Sequence, residues 1–224
     1  MVSKSKVKKL NMKNFYLNGT YGITPDNLPS EALIEKIRSS LMGGVKILQY
    51  RNKGNNWAKK IEEISEIKKI CQKYNVPFII NDNLNIALEV DADGLHVGKD
   101  DVSIKKARES LGNNKMLGVS CYGDLQRATK AEKLGADYIA FGSFFKSKTK
   151  PKAPLIEKNI LEKARYICQC PIVAIGGITP ENGSELLKNG ADMLAVADAI
   201  FSSKDCKLNA QKMARLFQVN LEIN

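Results

Sequence analysis

Short apolar runs alternate along the chain with longer stretches in which apolar residues recur every three or four positions. The first pattern is typical of parallel strands buried on both faces, and the second of helices with one buried face. The pattern predicts eight strands, at residues 21–24, 45–50, 77–80, 94–97, 116–120, 138–141, 172–175 and 193–196. It predicts helices at residues 30–42, 56–74, 84–89, 103–111, 124–134, 156–167, 180–189 and 208–219.

This uninterrupted strand–helix repeat favours a closed barrel over an open sheet. Glycines stand where a predicted helix ends and the next strand begins, at Gly43-Gly44, Gly135 and Gly190. The run Gly135-Ala136-Asp137 returns as Gly190-Ala191-Asp192, which indicates repeated units of one architecture. We therefore expect a single α/β domain, a (β/α)₈ TIM barrel, over residues 19–224. Residues 1–18 are expected to form a basic, flexible and solvated arm.

Composition agrees with one globular domain, because 43% of the 224 residues are hydrophobic and 26% are charged. No apolar run reaches the roughly 18 residues that a membrane-spanning helix needs, and no apolar segment follows the basic N-terminus as in a secretory signal. We expect a cytoplasmic protein without a membrane partner. The five cysteines are an odd number without a framework spacing, which favours reduced, mostly buried thiols over disulfides or a zinc site.

The formal net charge of +11 allows either a nucleic-acid partner or phosphorylated small molecules. Lys and Arg are spread along the whole chain, many on the presumed outer helices, and no nucleic-acid-binding motif is recognisable. We expect phosphorylated small-molecule substrates and no nucleic acid. The sequence leaves a homo-oligomer open.

Polar residues gather after the predicted strands, which is where barrel enzymes carry their functional groups. The segments concerned are Thr24-Pro25-Asp26, Gln49 through Lys53, Asn81-Asp82, Gly98 through Asp101, Ser120, Ser143 through Lys150, Gly176-Gly177 and Asp198. All of them would meet at one mouth of the barrel. The sequence therefore predicts an active site at the carboxyl ends of the strands.

Acidic residues follow strands 3 and 4, at Asp82 and at Asp100-Asp101. Carboxylates of neighbouring strands suit a Mg²⁺ ion shared with substrate phosphates. The alternative is that these side chains cap the helices that follow them. Because Arg51, Lys53 and Lys150 fall at the same rim, we favour the metal site.

The basic residues suit a diphosphate, since Arg51 offers a bidentate fork and Lys53 a point charge. Each alone would more often be an ordinary surface cation. The Gly176-Gly177 turn after strand 7 matches the usual phosphate site of this barrel.

Three polar residues lie on or at the ends of strands. His96 has apolar neighbours on both sides, which favours a hydrogen-bonded core histidine over a general base. Gln49 and Asn81 carry neutral amides at strand ends, where they could bind a heterocycle or a diphosphate oxygen.

Read in order, a series of motifs from about residue 21 to residue 201 resembles the thiamine-phosphate synthase family. The motifs are Thr20-Tyr21-Gly22-Ile23-Thr24, Gly44 with Gln49-Tyr50-Arg51-Asn52-Lys53, Asn81-Asp82, Ala92-Asp93-Gly94-Leu95-His96-Val97-Gly98-Lys99-Asp100-Asp101, Gly118-Val119-Ser120, Gly135-Ala136-Asp137-Tyr138, Phe141-Gly142, Ser147-Lys148-Thr149-Lys150 and Ala174-Ile175-Gly176-Gly177-Ile178. So many spaced motifs in one order make the resemblance specific.

The resemblance implies a transferase that joins an aminopyrimidine-methyl diphosphate to a thiazole phosphate and releases diphosphate with Mg²⁺ present. It implies that the pyrimidine diphosphate is held by Gln49, Tyr50, Arg51, Asn52, Lys53, Asn81, Ser120 and Lys150. Of these, Arg51, Lys53, Ser120 and Lys150 are expected to be catalytic. Asp82 and Asp101 would bind Mg²⁺. The thiazole phosphate would be held by Ser147, Lys148, Thr149, Gly177, Ala197 and Asp198.

The chain departs from the family pattern at Lys99, Asn85, residues 143–147 and Asp198, where the family usually has Gln, Asp, a Pro-Val-Phe-Pro-Thr-like run and Ser. One alternative is the thiazole tautomerase branch, which uses a His just after strand 5, where Cys121 and Tyr122 stand here. A second alternative is a non-catalytic barrel that binds a phosphorylated ligand. The paired aspartates favour the synthase over both.

Overall fold

The computed structural model describes residues 17–26, 28–53, 57–147 and 150–221. Eight parallel strands form a closed barrel in sequence order, in which β8 pairs with β1. The strands are β1 (Gly19–Ile23), β2 (Val45–Tyr50), β3 (Phe78–Asn81), β4 (Gly94–Val97), β5 (Met116–Tyr122), β6 (Tyr138–Phe141), β7 (Ile172–Ile175) and β8 (Met193–Val196). The predicted TIM barrel is confirmed.

Helices surround the barrel. They are α1 (Ser30–Met42), α2 (Trp57–Lys73), α3 (Leu84–Glu89), α4 (Ile104–Leu111), α5 (Leu125–Lys133), α6 (Ile160–Ile167), α7 (Gly183–Lys188), α8 (Asp198–Phe201) and α9 (Cys206–Leu221). The short helix α8 was not predicted, and α6 begins four residues later than predicted. Most of the predicted N-terminal arm, residues 1–16, lies outside the described residues.

Three helices around the barrel begin at polar side chains that accept a backbone N–H of the first turn. Asn83 accepts the N–H of Ile86 at 3.0 Å and begins α3. Ser103 caps α4 in the same way, and Asp124 caps α5. The caps of α3 and α4 are therefore residues other than the aspartates for which helix capping was the alternative to metal binding.

The core has two layers. The larger layer fills the space between strands and helices, and the smaller one fills the interior of the barrel. Tyr21 and Tyr138 are the largest side chains of the interior layer, and both are fully buried. Gly118 makes room for one of them, because a Cβ atom there would lie 2.1 Å from the Cζ of Tyr138. The four buried cysteines and the partly buried Cys170 all carry free thiols, as the sequence predicted.

Aspartates fasten neighbouring strands together at the amino end of the barrel. Asp93, Asp137 and Asp192 each immediately precede a strand, and each follows an alanine. Each donates its backbone N–H to a carbonyl at the start of the preceding strand, over 2.8 to 3.0 Å. Each carboxylate also accepts the N–H of that same residue, at Phe78, Leu117 and Ile172, over 2.7 to 2.9 Å. The repeated Ala-Asp sequence is thus explained by a repeated two-point contact.

Arginines support two of these contacts. Arg108 on α4 pairs with Asp137, and Arg165 on α6 pairs with Asp192. Each helix is thereby attached to the second strand that follows it along the chain. None of the helices described here combines the length with the apolar character that crossing a bilayer requires.

We expect Asp192→Ala to lower the free energy of unfolding by about 2 kcal/mol, because it leaves the buried Ile172 N–H without its acceptor and Arg165 without its counter-charge. Urea denaturation followed by circular dichroism measures this change. Glu109→Ala is the matched control, because Glu109 forms only an exposed pair with Lys105 and its loss should cost less than about 0.5 kcal/mol. Equal unfolding midpoints for the two variants would contradict the proposed role of the Asp192 contact.

Candidate active site

Six of the predicted site residues line a cavity of about 330 Å³ at the carboxyl end of the barrel. Its rim includes Lys53 after β2, Asp82 after β3 and Asp101 after β4. Its inner wall is apolar and includes Ile64 of α2 and Ile86 of α3. The cavity therefore offers charges at its mouth and an apolar surface below.

Asp82 and Asp101 line this cavity together, and their carboxyl groups lie close enough to interact electrostatically. Burial, and after it the neighbouring Asp82, raises the pKa of Asp101, although a hydrogen bond from the N–H of Gly98 at 2.6 Å opposes this. The Nζ of Lys53 lies 3.3 Å from Asp82. Two carboxylates that approach each other in this way are partly uncompensated, and a divalent cation suits them.

The backbone of Asp82 is held in the left-handed region, with φ of 62°. A non-glycine residue there costs on the order of 1 to 3 kcal/mol and persists where surrounding contacts require it. The N–H of Asp82 donates to the carbonyl of His96 on β4 at 2.8 Å. The pairing of β3 with β4 therefore continues one residue beyond the strand and directs the carboxylate towards Asp101.

Arg51 is positioned by the loop after β1. Its backbone N–H donates to the hydroxyl of Thr24 at 2.8 Å, that hydroxyl donates to the Arg51 carbonyl at 3.0 Å, and its guanidinium pairs with Asp26. The same Asp26 accepts the backbone N–H of Lys53 at 3.1 Å. Asp26 thus orders the Arg51–Lys53 segment, a role that the sequence analysis did not assign. Its position after a strand was the only signal for it.

Lys150 faces the same group of charges. Partial removal from water, and next the charge of Arg51, lowers the pKa of its ammonium group, while Asp82 and Asp101 act in the opposite direction. Three cations and two carboxylates therefore influence one another at one rim. A phosphorylated ligand entering here would find its negative charge compensated from several sides.

Tyr50 and Asn52 brace this rim from the helix side. The hydroxyl of Tyr50 donates to Glu63 on α2 at 2.5 Å, and the amide of Asn52 donates to the same hydroxyl at 3.2 Å. Lys60 donates to the Asn52 carbonyl at 3.2 Å. The Tyr50 hydroxyl is thus engaged with α2, while Tyr50 as a whole still lines the cavity together with Asn81.

His96 is the hydrogen-bonded core histidine that the sequence favoured. Its Nε2 lies 2.8 Å from the hydroxyl of Ser120, and its Nδ1 lies 3.3 Å from that of Tyr138. Burial lowers its pKa to about 4, so that the ring is neutral near pH 7. Gln49, also buried, donates from Nε2 to the hydroxyl of Tyr21 at 2.9 Å.

The remaining predicted residues surround the ends of β6, β7 and β8. Gly176 and Gly177 both have positive φ, at 107° and 62°, and a Cβ on Gly177 would lie 2.3 Å from the Lys146 carbonyl oxygen. The segment that leads to Ser147 therefore packs directly on the glycine turn. Ala197 and Asp198 follow β8 at the start of α8. Lys148 and Thr149 lie outside the described residues.

Comparison with known proteins identifies the family of the chain. A family model described as thiamine monophosphate synthase matches residues 20–200. The chain belongs to this family. A thiamine-phosphate synthase of Nitrosomonas eutropha is 44% identical over 92% of this chain and 97% of its own length. One of Nitrosospira multiformis is 39% identical over 97% of this chain and 93% of its own length.

A solved structure of a thiamine phosphate pyrophosphorylase from Pyrococcus furiosus is similar in fold as well, with a TM-score of 0.81 at 32% identity. The match covers 91% of this chain and 96% of that one. Sequence similarity and structural similarity thus support the same family and the same TIM-barrel fold.

Two departures from the family pattern lie on exposed side chains. Asn85 is exposed on α3, and Lys99 is exposed and bonds to the Tyr122 hydroxyl through its backbone N–H at 3.1 Å. Neither residue lines the cavity beside Asp82 and Asp101. Another departure, Asp198, has its Oδ1 3.5 Å from the hydroxyl of Ser202, one turn further along.

The described part of the chain contains no cluster of three or more His, Cys, Asp and Glu side chains that could hold a metal ion alone. A site formed by Asp82 and Asp101 would therefore be completed by oxygens of substrate or water. Mg²⁺ is commonly bound in this way, through one or two carboxylates together with substrate phosphates.

We expect Asp82→Asn to lower the pKa of the Asp101 carboxyl, because it removes the neighbouring negative charge while burial stays the same. The pKa is measured by titrating carboxyl ¹³C resonances in the metal-free protein. Asp100→Asn is the control, since Asp100 is exposed and should change the Asp101 titration less. An Asp101 pKa unchanged in Asp82→Asn would show that the two carboxyls do not interact.

Proposed function

We propose that the protein is a thiamine-phosphate synthase, a transferase that couples 4-amino-2-methyl-5-(diphosphooxymethyl)pyrimidine to a thiazole phosphate and releases diphosphate. The observation that carries the proposal is the meeting of Asp82 and Asp101 with three cations at the mouth of the barrel. Sequence relatives that bear this name match nearly the whole chain.

Asp82 and Asp101 are the residues that would hold Mg²⁺. The fit rests on the close approach of the two carboxyls and on the raised pKa of Asp101, both of which a divalent cation would relieve. Helix capping, which would have explained the same residues otherwise, is performed for α3 and α4 by Asn83 and Ser103. Bound there, Mg²⁺ would neutralise part of the negative charge of the substrate diphosphate.

Arg51, Lys53 and Lys150 would stabilise the diphosphate as it departs. Diphosphate is a poor leaving group until its charge is compensated, and prearranged cations supply that compensation without reorganisation. The 4-amino group of the pyrimidine feeds electrons towards the methylene carbon as the carbon–oxygen bond breaks. The thiazole nitrogen then donates its electron pair to that carbon. This scheme needs no protein nucleophile.

The thiazole phosphate would lie against the ends of β7 and β8, at Gly177, Ala197 and Asp198, with Ser147 beside them. The resemblance adds Lys148 and Thr149 to this group. A carboxylate close to a phosphate is repulsive, so Asp198 would contribute through its backbone. The contact between its side chain and Ser202 directs the carboxylate along α8, in agreement with that role.

The thiazole tautomerase alternative lacks a suitable base at the end of β5. Cys121 stands in that region, and burial raises the pKa of its thiol to about 12. The non-catalytic alternative does not explain Asp82 and Asp101, because a protein that only binds a phosphorylated ligand has little need of a metal ion. We therefore keep the synthase as the proposal, with a cytoplasmic location and small phosphorylated substrates as its corollaries.

We expect Asp82→Ala and, separately, Lys150→Ala to reduce Mg²⁺-dependent formation of thiamine phosphate by about a hundredfold or more, because the first removes a residue that would hold Mg²⁺ and the second removes a cation that would face the diphosphate. Turnover is measured with purified protein, Mg²⁺ and both substrates. Asp100→Ala is the matched control for the carboxylate and should stay near the parent rate. Normal turnover in both active-site variants would refute the mechanism, and thiazole isomerisation without coupling would indicate the tautomerase.

The lowered pKa of Lys150 predicts a pH effect. As pH rises through this pKa the ammonium loses its charge, so kcat/KM for the pyrimidine diphosphate should fall at lower pH than for a lysine with an ordinary pKa. Lys150→Arg keeps its charge throughout and should move the alkaline fall to higher pH. A pH profile of kcat/KM for both proteins tests this. An alkaline limb that coincides in the two would exclude Lys150 as its origin.

A further inference from the structure

A continuous row of hydrogen-bonded side chains crosses the barrel beneath its mouth. It begins at Gln49 on β2, passes through Tyr21 on β1, Tyr138 on β6 and His96 on β4, and ends at Ser120 on β5. The successive donor–acceptor distances are 2.9, 2.7, 3.3 and 2.8 Å. We call these five residues the interior chain. Its two ends belong to the proposed pyrimidine site, and its three middle members do not.

Burial makes each link of the interior chain depend on the next. Tyr21 is 1% exposed, Tyr138 is fully buried and His96 is 8% exposed. Polar groups in such surroundings are satisfied by each other, because water is excluded and an unmade hydrogen bond is costly. A tyrosine hydroxyl has one hydrogen to donate, so the orientation of one link determines the orientation of its neighbour.

The amide of Gln49 sets the direction. Its Nε2 can only donate, so the hydroxyl of Tyr21 accepts there and donates onward to Tyr138. Tyr138 in turn donates to the Nδ1 of His96. A neutral imidazole that accepts at Nδ1 carries its hydrogen on Nε2, which then donates to the hydroxyl of Ser120.

The two ends of the interior chain therefore acquire opposite character. Ser120 accepts from His96, which leaves the hydrogen of its own hydroxyl for a partner at the barrel mouth. Gln49 donates an N–H to the hydroxyl of Tyr21, and its carbonyl oxygen can act as an acceptor towards the substrate. If the Gln49 amide were turned over, every hydrogen along the row would reverse and the two ends would exchange these roles.

We propose that Tyr21, Tyr138 and His96 are positioning residues that fix Ser120 as a donor and Gln49 as an acceptor towards the substrate. This rests on the proposed function, because an aminopyrimidine diphosphate offers an amino donor on one side and acceptor atoms elsewhere. The amino group matches Gln49, and a ring nitrogen or diphosphate oxygen matches Ser120. The interior chain thereby orients the pyrimidine before the carbon–oxygen bond breaks.

The direction of the interior chain can be read without substrate, since His96 is the single histidine of the sequence. In ¹⁵N-labelled protein near pH 7 we expect a protonated Nε2 and an unprotonated, hydrogen-bonded Nδ1. Tyr138→Phe should move the Nδ1 resonance towards that of a nitrogen without a donor. Tyr74→Phe is the matched control, because Tyr74 lines a cavity at the other end of the barrel. A hydrogen on Nδ1 in the parent protein, or an unchanged Nδ1 resonance in Tyr138→Phe, would overturn the proposed direction.

Kinetics test the consequence for the substrate. Tyr138→Phe and Tyr21→Phe should each raise the KM for the pyrimidine diphosphate by about tenfold, with little change in the KM for the thiazole phosphate. Both substitutions preserve shape, and Tyr21→Phe serves if Tyr138→Phe folds poorly. Unchanged pyrimidine KM values in folded variants would refute the positioning role. Absence of thiamine phosphate synthesis by the parent protein would instead refute the proposed function, and the His96 spectra decide the direction of the row in either case.

Discussion

Closure of the barrel through the pairing of β8 with β1 is the constraint on which the site depends. In a closed ring of parallel strands all carboxyl ends lie on one rim, so that residues far apart in sequence become neighbours. Arg51 after β2 and Lys150 after β6 come close enough in this way that the charge of Arg51, next to burial, lowers the pKa of Lys150. The same closure brings β1 and β6 side chains into contact across the interior, where the Tyr21 and Tyr138 hydroxyls lie 2.7 Å apart.

The rim is organised as a group of charges that shift one another's pKa values. Asp101 is held with a raised pKa beside Asp82, and Lys150 with a lowered pKa beside Arg51. Partial burial contributes most to both shifts, and the nearby like charge adds to it. A ligand that carries its own anionic groups, together with a divalent cation, would stabilise both sets at once. The electrostatics of the rim are thus complementary to the substrate proposed for it.

The sequence predicted the fold well because burial dictates the pattern directly. Strands such as Gly94–Val97 and Tyr138–Phe141 are buried along their whole length, and their apolar runs show this. Asp82 and Asp101 could be placed at one rim from the sequence because they follow strands that are neighbours in the barrel. The helix α8 was missed because its four residues are too few to show a helical period.

Pairings between distant residues were beyond the reach of sequence pattern. Nothing in the sequence around Asp26 shows that it orders the Arg51–Lys53 segment, and nothing around Glu63 shows that it binds the Tyr50 hydroxyl. The orientation of the interior chain has the same origin, because it depends on five strands meeting in three dimensions. The apolar neighbours of His96 in the sequence predicted its place in the core. Nothing in the sequence predicted that its ring would pair with Ser120 and Tyr138.

The aspartate contacts of Asp93, Asp137 and Asp192 lie at the amino end of the barrel, opposite the mouth. Three pairs of neighbouring strands are thus tied together by groups that take no part in ligand recognition. The loops of the rim are therefore free to diversify without loss of these contacts. A library of variants with randomised rim residues could therefore change which phosphorylated molecules bind, while the aspartate contacts at the amino end continue to stabilise the barrel.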